Sequence, residues 1–347
     1  MTSNSNNKSA GLSDRIKNFA QQKIVVVGDA IADQFIYGEI SRVSREAPVF
    51  ILQHEHTETA PGGAANCAAN LAALGAQVSL VGVIGDDEAG RTLFRKLDAA
   101  GVDRRTIVTP NHPTTTKVRV LAGQMHSTRQ QVIRIDYGSE AELEARFRDE
   151  CIVNACELAQ EADAVVISDY GYGAADPAIA AAVRESIKGL KIPVLVDSRF
   201  RLASFPQFTS ATPNEDELAK LIGHEPRDLS ELEVAAGALC QELEHQALLV
   251  TRGGHGMLLL EPGKQPLHLD AVGPHEPVDV TGAGDTVIAT YALALAAGAS
   301  FAEAARLANL AGGIVVMKRG TATVTNEELT AAALEHGFQE AGAGTQS

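Results

Sequence analysis

Residues 279–285 read DVTGAGD and the apolar run TVIATYALALAAG follows at once, so a carboxylate stands directly behind three small residues. Thr281 through Gly284 read as the turn and first residues of a helix running to about Ala297. The first N–H groups of such a helix lack intrahelical partners, and its dipole favours negative charge there. Gly282, Ala283 and Gly284 carry too little bulk to hold a phosphate away. A loop capped by Asp279 or Thr281 explains the same letters, but leaves Asp285 in the first turn without an assigned partner.

Four other stretches carry residue types that suit a sugar or a nucleotide. PGGAANCAANLAALG (61–75) puts Gly62 and Gly63 before an Ala- and Asn-rich helix. The glycines permit close backbone approach and Asn66 can offer an amide to a hydroxyl; a tightly packed helix start reads alike. GDAIAD (28–33) sets Asp29 and Asp33 near the end of the first strand, as acceptors for sugar hydroxyls or as a solvated loop. TPNEDE (212–217) offers Asn214 and Glu217 to one ligand, through magnesium-bound water, or as a helix cap with an acidic first turn. TRGGHG (251–256) is a Gly-rich turn after a strand. There is no GxxxxGK[ST] loop and no set of Gly-rich loop, strand lysine and DFG, so phosphoryl transfer here belongs to another architecture.

These residues need elements to hold them. KIVVVGDA (23–30), VSLVGVIG (78–85), AVVISDYG (164–171), PVLVDS (193–198) and ALLVTRGG (247–254) read as buried parallel strands. Segments 63–75, 89–100, 177–189 and 231–244 between them have helical period. The alternation predicts an α/β fold, a mainly parallel sheet with helices on both faces and ligands beyond the carboxyl ends of its strands. Segments 34–57 and 112–136 break the rhythm with β-like patterns, and are expected to pair into a small sheet serving as a lid, an oligomer surface or both. One domain over 21–337 is expected, between loosely ordered tails at 1–20 and 338–347.

The 347 residues carry a formal charge of −15, which disfavours nucleic acid and acidic membranes as partners. Cys67, Cys151, Cys156 and Cys240 form no CxxC pair and no zinc spacing, and read as reduced thiols. The polar start MTSNSNNKSAGLSD has no signal-peptide core, and no apolar run reaches the roughly 18–20 residues of a membrane span. A soluble cytoplasmic protein is the expectation.

In combination, GGAANCAANLAALG, NEDE, TRGGHG and DVTGAGD resemble the ribokinase-like (pfkB-type) carbohydrate kinase family, in that family's order and over roughly residues 23–335. Val280 and Thr281 follow Asp279 where the family usually has Thr directly after the Asp. Within the family, SRVSREAPVF (41–50) and SDYGYG (168–173) resemble the D-glycero-β-D-manno-heptose 7-phosphate kinases, in their stand-alone form; Phe50 replaces a usual Pro, and VDSRF (196–200) a VDPK-like segment.

The resemblance implies ATP-dependent phosphorylation of the anomeric hydroxyl of that heptose phosphate, for lipopolysaccharide synthesis. Its alternatives are another ribokinase-like sugar kinase and a non-catalytic sugar- or nucleotide-binding protein. It implies Asp285 as catalytic base and the amides of Gly282, Ala283 and Gly284 as an anion hole. Asn214 and Glu217 would organise Mg2+ and ATP, bordered by Thr251, Gly253, Gly254, Gly256 and Asn309. Asp279 is a candidate for a monovalent cation such as K+. Asp29, Asp33, Gly62, Gly63, Asn66 and Asp169 would face the sugar. Among the lid cations Lys117, Arg119, Arg129, Arg134, Arg42 and Arg45, the sugar's phosphate is expected on Arg119 and Arg134, or else they form a solvated, salt-bridged surface. The lid is also the family's usual homodimer contact.

Overall fold

The computed structural model of the chain describes residue 12 and residues 15–342, apart from 106, 110–111, 124–128, 139–142 and 274–275. Its apolar runs become strands because each can bury two faces at once. In β1 (Lys23–Gly28), Ile24 and Val26 enter one hydrophobic core while Val25 and Val27 enter another, as the alternation of side chains along a strand requires.

The main sheet joins β1 to β4 (Gln77–Val81), β6 (Asp103–Arg104), β10 (Ala164–Asp169), β11 (Val194–Ser198), β12 (Ser210–Ala211), β13 (Ala247–Thr251), β14 (Met257–Leu260) and β15 (Leu267–Leu269). Its order is β15-β14-β13-β12-β11-β10-β1-β4-β6, parallel throughout except for antiparallel β14 and β15. On one face lie α1 (Ala64–Ala73), α2 (Glu88–Ala99), α7 (Ala283–Ala296), α8 (Phe301–Val315) and α9 (Asn326–Gly342). On the other lie α3 (Ala145–Ala159), α4 (Pro177–Ser186), α5 (Glu215–Ile222) and α6 (Leu229–Glu242). Every residue of α7 from Asp285 to Ala294 is buried, which is what a helix apolar all round demands.

A second sheet of order β3-β2-β8-β9 is built from β2 (Ala30–Val43), β3 (Phe50–Gly63), β8 (Thr116–Gly123) and β9 (Gln130–Tyr137). The two segments expected to form a lid do pair, although 124–128 lie outside the described residues. A short parallel pair, β5 (Val83–Gly85) and β7 (Ile107–Thr109), completes the strands of the described residues.

The first of the two segments reaches further than expected, from Ala30 to Gly63, while the second begins at Thr116. Asp33, Gly62 and Gly63 therefore sit at the root of the lid, on β2 and β3, and not in loops. The packed chain also begins before residue 21, since Ile16 and Phe19 are buried in the core, and α9 continues past 337. The remainder of both expected tails lies outside the described residues.

Candidate active site

Asp285 occupies the first turn of α7, just behind Gly282 at the helix N-cap. Its side chain is buried, yet both carboxylate oxygens have donors. Asn66 Nδ2 donates to Oδ2 at 2.8 Å and Tyr170 Oη donates to Oδ1 at 2.7 Å. Asn70 Nδ2 donates to Asn66 Oδ1 at 3.1 Å, which turns the Asn66 amide so that its NH2 faces Asp285. Thr286 Oγ1 donates to Asn70 Oδ1 at 3.1 Å and closes the network back onto α7. Burial pushes the Asp285 carboxyl up to about 6. The Asn66 and Tyr170 hydrogen bonds oppose that rise, Asp33 adds to it and Lys117 counters it. A group so tuned is ionised at neutral pH and close to the optimum for a general base.

Gly282 has to be glycine twice over. Its φ is +77°, in the left-handed region, and a Cβ there would meet Asn66 Nδ2 at 2.5 Å. Of the three amides expected to form an anion hole, that of Ala283 donates to Val280 O at 3.2 Å and so serves the turn. The amides of Gly282 and Gly284 keep their place at the helix start.

The lid strands bring the acceptor-side residues to this point. Cross-strand register sets Asp33, Lys117 and Asp136 in one row, and Phe35, Arg119 and Arg134 in the next. Gly62 packs so close that a Cβ would lie 2.6 Å from Asp33 Oδ2. Arg119 and Arg134 are already paired, as the salt-bridged alternative has it: Arg119 Nη1 binds Asp33 Oδ1, and the Arg134 guanidinium holds both oxygens of Asp136 at 2.8 Å. Arg129 likewise pairs with Glu55. Thr321 Oγ1 donates to Asp33 Oδ2 at 3.4 Å. Lys117, one of the lid cations named from the sequence, is buried with its Nζ 4.9 Å from the centre of the Tyr170 ring.

Two carboxylates expected to face the sugar are used elsewhere. Asp29 accepts backbone N–H groups from Tyr170, Tyr172 and Ala174 at 2.8, 3.0 and 2.9 Å. It is only 3% exposed and shapes the loop after β10 that presents Tyr170 to Asp285. Asp169 accepts from Arg201 Nη2 at 2.7 Å, Arg201 Nε at 3.0 Å and Ser198 Oγ at 2.7 Å, which fixes the loop after β11. A short, buried carboxylate at a strand end satisfies crowded loop amides as readily as a ligand, and the letters do not separate the two uses.

On the other side of Asp285, Asn214 and Glu217 form a capping box at the start of α5. Glu217 N–H donates to Asn214 Oδ1 at 2.8 Å, and Asn214 N–H to Glu217 Oε2 at 3.0 Å. A parallel bridge sets Asn214 beside Thr251, where β13 ends and the Gly253–His255 turn begins. Arg252 N–H donates to Gly256 O at 2.8 Å and closes that turn, with Gly254 at its middle. Asn309 Nδ2 donates to Asp270 O at 2.7 Å, which ties its amide to the chain after β15. Asp279 accepts the amides of Thr281 and Gly320, both at 2.9 Å, and these bonds hold it below the usual carboxylate range against the cost of burial.

Among the described residues no three acidic, His or Cys side chains converge on a direct metal site. Magnesium, however, usually keeps several waters and takes one or two carboxylates plus substrate phosphates. The carboxyls of Asp197 and Glu217 suit that mode, because both are pushed up, first by burial, and Glu217 raises Asp197 further. A cation between them would relieve that repulsion. Asp197, at the end of β11, was not foreseen; its only sequence signal was its place in VDSRF.

The profile of the pfkB family carbohydrate kinases matches residues 21–328. The chain belongs to that family. It is a phosphotransferase with an alcohol group as acceptor. It is 44% identical over 315 residues to the bifunctional protein HldE of Pseudomonas syringae pv. syringae, covering 90% of this chain and 63% of that protein. It is 43% identical over 325 residues to the protein of the same name from Caulobacter vibrioides, covering 91% and 64%. The chain thus spans less than two thirds of these curated relatives. Arabidopsis thaliana ribokinase complexed with ribose and ATP superposes with a TM-score of 0.72 at 24% identity, over 90% of this chain and 98% of that one. Escherichia coli phosphofructokinase-2 in complex with potassium does so at 0.74 and 18%, with the same coverage. Both show the ribokinase-like fold.

Proposed function

We propose that the protein transfers the γ-phosphoryl group of ATP to the anomeric hydroxyl of D-glycero-β-D-manno-heptose 7-phosphate, giving the 1,7-bisphosphate used for the heptose of lipopolysaccharide. The observation that carries a kinase reading is Asp285, buried at a helix start with both oxygens held. Asp285 takes the proton of the acceptor hydroxyl as its oxygen forms the new bond to phosphorus and the bond to ADP breaks. In a loose transition state that proton leaves late, so orientation outweighs base strength. The free amides at the start of α7 face the charge on the moving group.

Asp33, Gly62, Gly63 and Asn66 line the sugar side. Asn214, Glu217 and Asp197 stand where the ATP phosphates and Mg2+ would be organised, the metal serving to neutralise phosphate charge, and Thr251, Gly253, Gly254 and Gly256 border the nucleotide. Asp279 with the turn it holds is the place for a monovalent cation, the role that potassium in phosphofructokinase-2 brings to mind. SRVSREAPVF and the relatives at 43–44% identity support the heptose substrate.

The outer face of the lid exposes Ile133 and Ile135 beside Val132, which suits a homodimer in the cytoplasm. No helix of the described residues is long and apolar enough to cross a membrane. ADP release measured with heptose 7-phosphate, fructose 6-phosphate and ribose tests the substrate. Preferred turnover of the heptose phosphate is expected; turnover only with another sugar replaces it by a different ribokinase-like kinase.

A further inference from the structure

Asp285 has two donors, and they are supported in different ways. The Asn66 amide is turned by Asn70, which Thr286 engages in its turn, so α1 and α7 fix that donor between themselves. Tyr170 Oη makes one hydrogen bond, to Asp285 at 2.7 Å, and no other described residue bonds to it. What stands against Tyr170 is a cation on its ring. Lys117 Nζ, carried by lid strand β8, lies 4.9 Å from the ring centre. An ammonium within roughly 6 Å of an aromatic centroid is attracted to its face.

The pairing of the lid leaves Lys117 for this use. It stands between Asp33 and Asp136 in one cross-strand row, and both carboxylates are taken by arginines of the next row, Asp33 by Arg119 and Asp136 by Arg134. Two carboxylates thus face three cations, and the one left over is the buried one, 7% exposed. Lys117 makes no ion pair or hydrogen bond with any described residue. An ammonium buried without a carboxylate is costly, and an aromatic face recovers part of that cost. The three groups form a chain of ammonium, phenol and carboxylate. A cation over the ring draws electron density from the phenol and makes its O–H the stronger donor, as linked polar groups polarise one another where the dielectric is low.

We infer that Lys117 is a positioning residue for the catalytic base, acting through Tyr170: the lid's unpaired cation holds and polarises the phenol that holds Asp285. This rests on Asp285 as the base of the proposed kinase reaction, and it makes the lid a support of that base as well as a cover. The other charged or titratable side chains that act on Asp285 are Asp33 from the lid, Cys67 from α1 and Asp197 from β11. Those that act on Lys117 are Asp33, Asp136 and Arg119 from the lid and Arg199 from the loop after β11. Among the described residues Lys117 is the cation that lies over the Tyr170 ring.

The test is a double-mutant cycle on the full chain. 13C NMR of aspartate-labelled protein follows the Asp285 carboxyl through pH without nucleotide or sugar, its resonance assigned by its loss in Asp285→Asn. Lys117→Met removes the ammonium and keeps the stem, so it is expected to melt no lower than the parent; Lys117→Gln is the second variant should Met disturb the lid. Either is expected to raise the Asp285 midpoint by about half a pH unit or more, and Lys117→Arg, which keeps a cation over the ring, to restore it. In the Tyr170→Phe background, where the ring stays and the hydroxyl is gone, the same substitution should move the midpoint by less than about half as much. Equal shifts in the two backgrounds mean that Lys117 acts on Asp285 directly and overturn the proposal, as does no shift in either. Kinetics supply a second readout. Lys117→Met should lower kcat about ten-fold while KM for the sugar phosphate stays within about two-fold. A raised KM with kcat kept makes Lys117 a ligand of the acceptor and also overturns the proposal. If the parent turns over no sugar, the kinase reading fails, and the NMR cycle still decides whether Lys117 acts on Asp285 through Tyr170.

Discussion

On the acceptor side, Asp285, Asn66, Tyr170, Asp33 and Lys117 come from α7, α1, the loop after β10, β2 and β8, and only Tyr170 is less than fully buried. On the nucleotide side, Asn214 and Glu217 belong to one helix start, bond to each other, and are exposed and half-buried. In the proposed reaction the acceptor side would meet the hydroxyl, and its dipoles are fixed beforehand by long-range packing, where they need no reorganisation. The nucleotide side meets a polyanion that would arrive with its metal and waters, so a locally closed loop with acidic side chains suffices. Preorganisation is concentrated where the proposed reaction would move a proton.

Asp285→Asn strikes the acceptor side hardest. We expect kcat to fall by about 10²–10⁴-fold, measured by ADP release. Stability should move the other way. Burial raises the folded carboxyl to about 6 from a usual 3.8, so between those pH values the folded chain holds a proton that the unfolded chain has released. Its contribution to stability therefore falls as pH rises through that window and stays unfavourable above it. Asn mimics the protonated acid, and at pH 7–8 the variant should melt at or above the parent's Tm. A variant that loses both activity and stability would make Asp285 a structural carboxylate.

Gly282→Ala breaks the same side through the backbone. The new Cβ at φ +77° would sit 2.5 Å from Asn66 Nδ2 and 3.0 Å from Thr321 Cγ2, pushing the amide off Asp285. A displacement of that kind costs on the order of 10²-fold in rate, and the strained backbone about 1–3 kcal/mol. Chemical denaturation and kinetics on one preparation check both. Wild-type kcat in this variant would show that the Asn66 contact is not needed.

How much of this contrast was legible differs between the two sides. DVTGAGD and PGGAAN announced Asp285, Gly282 and Asn66, because small residues before a helix restrict what the backbone can do. The strand and helix rhythm announced the sheet, and the two irregular segments the lid. Tyr170 was not singled out, because nothing local marks an aromatic that meets its partner across more than a hundred residues; Lys117 was named only as one of several lid cations. At Asp29 and Asp169 the position at strand ends suits a ligand, while burial gives their oxygens to loop amides and Arg201. At Asn214 and Glu217 both readings of the letters stayed open, and the capping box is the one the geometry displays.

Tyr170→Phe sharpens the contrast by a pH shift. The phenol is held well above its ordinary value, first by burial and then by Asp285, so it remains a donor throughout the working range. Its hydrogen bond favours the ionised form of Asp285, whose other charged neighbours include Asp33 and Lys117 from the lid and Asp197 from β11. The acid limb of kcat/KM should lie near the Asp285 value of about 6 in the parent and move to higher pH in the variant. An unmoved limb with lower kcat would make Tyr170 a packing residue only.

Glu217→Gln is the gentlest probe, and it asks whether the nucleotide side is more than a helix cap. Gln completes a capping box as Glu does, so stability should stay within about 0.5 kcal/mol of the parent. The substitution removes the charge that repels Asp197 and that a hydrated Mg2+ would find. Activity at saturating Mg2+ should therefore drop only modestly, while the Mg2+ concentration for half-maximal rate rises several-fold. The same titration on residual turnover of Asp285→Asn should leave that concentration unchanged, because Asp285 serves the proton and not the metal. Equal metal dependence in Glu217→Gln and the parent would reduce Glu217 to its cap, and would leave Asp197 to hold the metal's water.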